Sequence, residues 1–287
     1  MDGRTAPLVE RLPARAFRAR AARGPDARLA EVLSTIVDHL ARVVAETGAT
    51  RDDLRRLIGF LTEVGEHTSD QRQEWVLLAD TLGLTSMVEA QSLRRPEGAT
   101  PNTLIGPFWR EGAPARADGE SISIDGKGEP LVFAATVTDL DGLPVAGAVV
   151  EVWQANAEGL YENQEPDRQP EFNLRGTYRS GTDGSVTIRS VRPGRYGVPK
   201  DGPVGRLLQA LGLGLMRPAH LHFRVTAPGF QRLTTHVFDR ADPALDCDPI
   251  FAVHPALATD FSRGDDGTLR AAYRFVLARA RAGEDSV

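Results

Sequence analysis

The apolar residues of this 287-residue chain change their spacing once, near residue 100, and that change limits what each part can fold into. From Asp26 to about Leu93 they recur at three- and four-residue steps. Leu29, Leu33, Ile36, Val37, Leu40, Val43 and Val44 make one stripe, and Leu54, Leu57, Ile58 and Leu61 make the next. That period places each set on one face of a helix. Gly48 is a stop signal for the first helix, and Thr50 with Asp53 is a capping-box variant that starts the second. Ser69 is the expected cap of a third helix carrying Trp75, Leu77, Leu78, Leu82 and Met87. After a Pro/Gly-bearing linker from Arg94 to Thr103, the segments become short and rich in Val, Thr, Phe and Leu. They lie near 131–138, 147–154, 174–179, 185–190, 219–227, 232–238 and 272–279, bounded by Gly, Pro and Asp. Asp141-Gly142 and Asp183-Gly184 are turn signals between them. The expected fold class is mainly β with an α-helical N-terminal segment, the β part being an antiparallel sandwich. The expected division is an Arg-rich flexible extension over 1–25, a helical and linker domain over 26–103, and a β-sandwich domain over 104–287.

Composition narrows the function classes. A net charge of −5 gives no reason to expect nucleic acid or an anionic membrane as partner. No apolar run approaches the ~20 residues of a membrane span. The single cysteine, Cys247, excludes an internal disulfide framework and fits a reducing compartment, so the expected location is the cytoplasm. Arg4, Arg11, Arg15, Arg18, Arg20 and Arg23 give the start a transit-peptide look, but it has no continuous apolar region for secretion. It reads as a frayed extension.

Chemistry concentrates in Arg217-Pro218-Ala219-His220-Leu221-His222-Phe223. On a strand, alternate side chains share a face, so His220 and His222 can hold one ion while Leu221 and Phe223 pack behind them. Imidazole suits several transition metals and does not choose among them. Two of the chain's four tyrosines narrow the choice. Tyr161 sits in Glu158-Gly159-Leu160-Tyr161-Glu162-Asn163, and Tyr196 in Arg192-Pro193-Gly194-Arg195-Tyr196-Gly197-Val198-Pro199. Two phenolates and two imidazoles make a hard, anionic site suited to a ferric ion. The free phenol titrates near 10, so a trivalent cation is what keeps two of them deprotonated at neutral pH.

With these motifs the sequence resembles the intradiol ring-cleaving dioxygenases, from about Asp26 to about Arg279. The segments that carry the resemblance are Thr103-Leu104-Ile105-Gly106-Pro107-Phe108-Trp109, Val137 to Gly142, Gln154-Ala155-Asn156, the two tyrosine segments and Arg217 to His222. The resemblance implies one non-haem Fe(III) per subunit, with Tyr196 and His222 as axial ligands and Tyr161 and His220 in the equatorial plane. It implies an aromatic diol or triol and O2 as substrates, Tyr196 as a proton acceptor that leaves the iron, and Arg217 as the group that stabilises developing ring charge. It also implies that residues 26–103 form a homodimer contact, where a bound lipid is a further candidate partner, and that 104–287 is the catalytic domain.

For the substrate pocket the resemblance points to Leu77, Asp80, Ile105, Gly106, Pro107, Phe108, Val198, Pro199, Arg217, His236 and Ile250. Asp80, three residues after Leu77 on one helix face, is a carboxylate able to take a hydrogen bond from a third ring hydroxyl. His236 has two readings, a reader of that hydroxyl or a buried hydrogen-bonded histidine. Phe60 to Gly83 is similar to the hydroxyquinol-cleaving branch, whose reaction gives maleylacetate through 3-hydroxy-cis,cis-muconate. The alternative is cleavage of catechol or a substituted catechol to cis,cis-muconates, and Arg195 near the second tyrosine favours an anionic or substituted ring. Residues 139–153 also resemble transthyretin-like sandwich modules, which bind without catalysing; fold alone does not decide between them.

Overall fold

The computed structural model describes residues 8–69, 72–92 and 94–280, and the chain divides into two compact units, 1–66 and 67–287. In the first unit, α1 (Leu8–Ala21), α2 (Ala27–Thr47) and α3 (Arg51–Glu66) follow one another. Asp26 caps α2 by accepting from the Leu29 amide at 2.8 Å, and Gly48 closes it at φ 63°, a left-handed conformation that costs glycine little. Thr50 and Asp53 exchange three bonds, from the Thr50 amide and hydroxyl to Asp53 Oδ2 at 2.9 and 2.7 Å and from the Asp53 amide to Thr50 Oγ1 at 3.2 Å.

The start of the chain differs from the expected frayed extension. It is helical from Leu8, packs on α2, buries Ala14 and pairs Arg18 with Asp38. Alanine, arginine and leucine are strong helix formers, and their density there outweighs the absence of an apolar stripe. Residues 1–7, Arg4 among them, lie outside the described residues. On α2, Leu29, Leu33, Ile36, Leu40, Val43 and Val44 remain exposed, as do Leu54, Leu57 and Ile58 on α3.

In the second unit the expected third helix is two short ones, α4 (Glu74–Thr81) and α5 (Leu84–Ser92). Gly83, at φ 72°, breaks the run between them. Ser69 is not the cap of α4; its hydroxyl takes the Arg72 amide at 3.2 Å and closes a turn before the helix. These helices fall in the same unit as the sheets rather than with residues 26–66. Buried Glu74 explains the attachment: it accepts from Arg72 Nε at 2.8 Å and from the amide of Val204 at 3.1 Å, at the start of α6 (Pro203–Ala210), on which α4 packs.

The strands are β1 (Pro130–Asp139), β2 (Val149–Trp153), β3 (Arg175–Arg179), β4 (Ser185–Val191), β5 (Tyr196–Gly197), β6 (Met216–Arg217), β7 (His220–Thr226), β8 (Leu233–Asp239), β9 (Ala258–Thr259), β10 (Ser262–Arg263) and β11 (Leu269–Leu277). One sheet runs β10-β11-β1-β4, the second β3-β2-β7-β8-β9, and β5 and β6 form a separate ribbon. Alternate residues of both sheets meet in one core. Phe133, Val137, Ile188 and Phe275 come from the first, and Val150, Val152, Leu221, Phe223, Val225 and Val237 from the second. Phe223 touches Phe133 and Phe275 at ring separations of 5.1 and 4.8 Å. Each such side chain contributes roughly 1.5–3 kcal/mol on leaving water. The sheets are mixed rather than purely antiparallel, since β1 pairs with β11 and β8 with β9 in parallel. Both parallel partners enter after long connections, which parallel pairing requires.

Candidate metal centre

Alternation along β7 sets the site. Leu221 and Phe223 point into the core, so His220 and His222 face the other way, both buried. Register on either side adds neighbours: Trp153 of β2 and His236 of β8 both stand opposite His222. Trp153 stacks on His222 at 4.9 Å between ring centroids, fixing the plane of the imidazole. His220 donates from Nδ1 to the Pro218 carbonyl at 2.6 Å, which leaves Nε2 as the bare nitrogen. That Nε2 lies 3.2 Å from Nε2 of His222, which in turn lies 2.9 Å from Oη of Tyr161. Arg217 Nη1 donates to Oη of Tyr196 at 2.7 Å and comes within 3.4 Å of His220 Nε2. The two tyrosines and two histidines singled out from sequence therefore converge on one point, with Arg217 beside them.

The tyrosine segments meet because two glycines interlock. A Cβ on Gly159 would lie 2.1 Å from the Arg195 carbonyl oxygen, and one on Gly194 would lie 2.5 Å from that of Ala157. Gly194 also donates its amide to the Asn156 carbonyl at 2.9 Å. Asn156 Oδ1 takes the amides of Glu158 and Leu160, each at 2.9 Å, which shapes the turn that delivers Tyr161. Across the loops the rings of Tyr161 and Tyr196 stand edge to face, 5.8 Å apart. Phe108 stacks on Tyr161 at 4.2 Å and meets Tyr196 edge-on at 6.0 Å. Gly106, at φ 74°, passes so close to His222 that an added Cβ would lie 3.3 Å from its Cε1.

Several residues that sequence reasoning gave no role hold this arrangement. Buried Asp248 accepts from Arg217 Nε at 3.1 Å and from the Ala252 amide at 3.1 Å. Behind Tyr161, Arg175 and Glu162 form a buried pair, with Arg175 Nε 2.8 Å from both carboxylate oxygens. Arg175 Nη1 also donates to the Phe108 carbonyl at 2.5 Å, and its guanidinium lies 5.7 Å from the centre of the Tyr161 ring. Thr103 Oγ1 is bonded to Nδ1 of His236. None of these contacts has a local spacing that marks it; for Trp153 the sequence indicates only a strand near 147–154, and its pairing beside the histidines comes from the sheet register.

Burial governs the electrostatics. It pushes the Tyr161 phenol well above its usual range, and Tyr196 adds to the effect while Arg217 and Arg175 oppose it. It holds His220, His222 and His236 well below the ordinary histidine value, with Arg217 or a neighbouring histidine adding to the shift. The histidines are thus neutral donors, the form that binds a metal. Among the described residues, Nδ1 of His222 and Nε2 of His236 have no hydrogen-bond partner. The donor nitrogens of His220, His222 and His236 fall within 4.8 Å of one another, so His236 joins the cluster, with Nδ1 bonded to Thr103 and Nε2 open. Two neutral imidazoles and two phenol oxygens, that of Tyr161 resisting deprotonation without a nearby cation, fit a small, highly charged metal ion.

The expected pocket residues divide by exposure. Leu77, Val198 and Ile250 pack with Leu104, Leu208 and Ala252 in one apolar cluster. Asp80 is half-buried; burial raises its carboxyl, while Thr85 and the charge of Arg217 act in the opposite sense. Phe108 and Gly106 touch the metal-site rings, whereas Ile105, Pro107 and Pro199 are exposed. Arg195 donates from Nε at 3.0 Å to Asp242, whose same oxygen also takes the Ala219 amide.

Residues 26–100 match a family described as the catechol dioxygenase N terminus, and residues 104–279 match one described as dioxygenase. The chain is 43% identical to hydroxyquinol 1,2-dioxygenase of Rhizobium sp. (strain MTP-10005), over 90% of this chain and 88% of that protein. It is 44% identical to 6-chlorohydroxyquinol 1,2-dioxygenase of Cupriavidus pinatubonensis, over 90% of this chain and 94% of that one. The crystal structure of hydroxyquinol 1,2-dioxygenase from Pseudomonas putida DLL-E4 superposes with a TM-score of 0.91 at 38% identity, covering 95% of this chain and 99% of the other. That of 3-chlorocatechol 1,2-dioxygenase from Rhodococcus opacus 1CP gives 0.75 at 28% identity, covering 88% and 99%.

Proposed function

This chain belongs to the intradiol ring-cleaving dioxygenases, and from that membership we propose that it opens hydroxyquinol (benzene-1,2,4-triol) with O2 to 3-hydroxy-cis,cis-muconate and its keto form maleylacetate. The observation that carries the reading is the convergence of Tyr161, Tyr196, His220 and His222 beside buried Arg217. Those four side chains would hold one ferric ion, as their neutral nitrogens and phenol oxygens suit it. When bound, the ion supplies Lewis acidity that lets a diol lose its protons at neutral pH and makes its ring reactive toward O2.

The chain's own groups do the rest. Tyr196 is the half-buried tyrosine of the pair and already receives a hydrogen bond from Arg217, so it is placed to take a substrate proton. Arg217, buried and fixed by Asp248, keeps its charge despite the cost of burial, because Tyr196 and Asp248 outweigh it. It stabilises negative charge that develops on the ring, in a dry site where such an interaction counts most. Leu77, Val198 and Ile250 form the apolar wall that excludes water. Asp80 and Nε2 of His236 are the polar groups placed to read a third hydroxyl; a site built around such a contact rejects analogues that lack it.

The similar proteins that act on hydroxyquinol and its chlorinated form favour the triol over catechol. Exposed apolar faces on α2 and α3 support a homodimer formed through the N-terminal helices. Among the described residues no helix is long and apolar enough to cross a membrane. Oxygen uptake by iron-replete protein, with enzyme-free autoxidation of the triol subtracted, tests the substrate. Hydroxyquinol is expected to be turned over at least tenfold more efficiently than catechol; equal or better use of catechol would move the protein to the catechol branch and demote Asp80 and His236.

A further inference from the structure

Each of the two tyrosines at the metal centre has its own buried guanidinium, and the two approach differently. Arg217 donates from Nη1 to the phenol oxygen of Tyr196 at 2.7 Å. Arg175 instead faces the ring of Tyr161, its guanidinium carbon 5.7 Å from the ring centre and within range of a cation–π contact. Its nitrogens are engaged elsewhere, Nε with both oxygens of Glu162 at 2.8 Å and Nη1 with the Phe108 carbonyl at 2.5 Å. Phe108 in turn stacks on Tyr161 at 4.2 Å, so one guanidinium faces that ring and also holds the residue stacked on it. Glu162 does not cancel the charge of Arg175, because its Oε1 also accepts from Arg110 Nη1 at 2.7 Å.

Sheet register explains how Arg175 comes to lie there. Arg175 of β3 pairs with Trp153 of β2, Trp153 with His222 of β7, and His222 with His236 of β8. Residues paired across neighbouring strands share a face, so Arg175 ends the row that carries the histidines. The chain enters this position through Phe172 at φ 57° and Leu174 at φ 60°. Left-handed backbone is unfavourable for such side chains and persists only where the surroundings over-determine it. Here Leu174 is pinned on both sides: its amide donates to the Ile122 carbonyl at 2.8 Å, and its carbonyl accepts from the Gln154 amide at 3.2 Å.

We propose that Arg175 is a positioning residue of the ferric centre: its charge beside the ring of Tyr161 draws electron density from that ligand and keeps the bound ion a strong Lewis acid toward the substrate. The inference rests on the ferric reading above. It makes the two tyrosines unlike. Arg217 bonds the oxygen of Tyr196, which suits a group that takes a proton, whereas Arg175 acts on the ring of Tyr161 and leaves its oxygen to the metal. Charge transfer in such a centre runs from phenolate to ion. A cation beside the phenolate stabilises its electrons and moves the Tyr161 component of the band to shorter wavelength.

The test is the visible spectrum of the iron-loaded full-length protein, with iron content measured on the same samples. Arg175→Gln is expected to move the tyrosinate-to-iron band to longer wavelength, and Arg175→Lys, which keeps the charge, to return it most of the way. Glu162→Gln removes the opposing charge and is expected to move the band to shorter wavelength; it carries the test if Arg175→Gln fails to fold. In a Tyr161→Phe background, Arg175→Gln should leave the remaining Tyr196 band in place. A band unmoved by these substitutions, moved the same way by Arg175→Gln and Glu162→Gln, or moved equally in the Tyr161→Phe background would overturn the proposal. Loss of iron from both single variants would overturn it too, by making the pair structural. A wild type with no such band would overturn both the proposal and the ferric reading beneath it.

Discussion

Arg217 has three neighbours and one guanidinium. It reaches Tyr196 and His220 through Nη1 because Asp248 holds the opposite edge. Replacing Asp248 with Asn removes the anchoring charge but keeps the shape. Turnover should fall about ten- to a hundredfold in kcat with little change in KM or iron content, and Asp248→Glu should restore part of it. A loss of iron in step with activity would instead make Asp248 a structural residue of the metal centre. Behind Tyr161, Arg175→Met would strand Glu162 with only Arg110, which bonds it at 2.7 Å. Because removing one partner of a buried ion pair costs about 3–5 kcal/mol, denaturant unfolding should show a loss toward the lower end of that range. At this scale the sequence was readable only for the residues that bear chemistry. The histidines and tyrosines announce themselves by strand spacing and by glycine and proline around them. Asp248, Arg175 and Thr103 do not, since each acts across a contact far away in sequence, and no local period encodes such a contact.

At the scale of elements, the site depends on two loops and two strands being brought into register. Gly159→Ala would place a Cβ against the Arg195 carbonyl and force a residue at φ 84° into a conformation disfavoured for alanine. It is expected to lower both the melting temperature and the iron content of purified protein, while a substitution at exposed Gly142 nearby in sequence should lower the first without the second. The histidines on β7 and β8 give a pH dependence. Their folded-state values lie below about 6.5, so in acid the unfolded chain binds protons that the fold refuses. Stability of the iron-free protein is therefore full above about pH 6.5 and falls as the pH drops below it; unfolding midpoints measured across that window would show a flat line if the buried histidines were already charged. Most strands were legible because half-buried strands alternate and their turns carry Asp-Gly. The long parallel pair of β1 and β11 was not, because pairing direction is set by a connection, not by composition. The break at Gly83 was missed for a related reason: one glycine in an apolar run is tolerated about as often as it ends a helix.

For the whole molecule, residues 26–66 contribute helices whose apolar faces are exposed, and a second copy is the proposed cover. Sedimentation should give a dimer, and Leu40→Glu with Val44→Glu on α2 should shift it to monomer; an unshifted wild-type monomer would leave those faces without their proposed role. The central claim is that two tyrosines and two histidines of this chain make a ferric ring-cleavage centre. The visible spectrum of protein reconstituted with one equivalent of ferric iron tests it most directly, recorded before and after anaerobic addition of hydroxyquinol. The account predicts a tyrosinate-to-iron charge-transfer band that shifts when the substrate binds and is weakened in both Tyr161→Phe and Tyr196→Phe. A colourless protein, or a band indifferent to both substitutions, would contradict it.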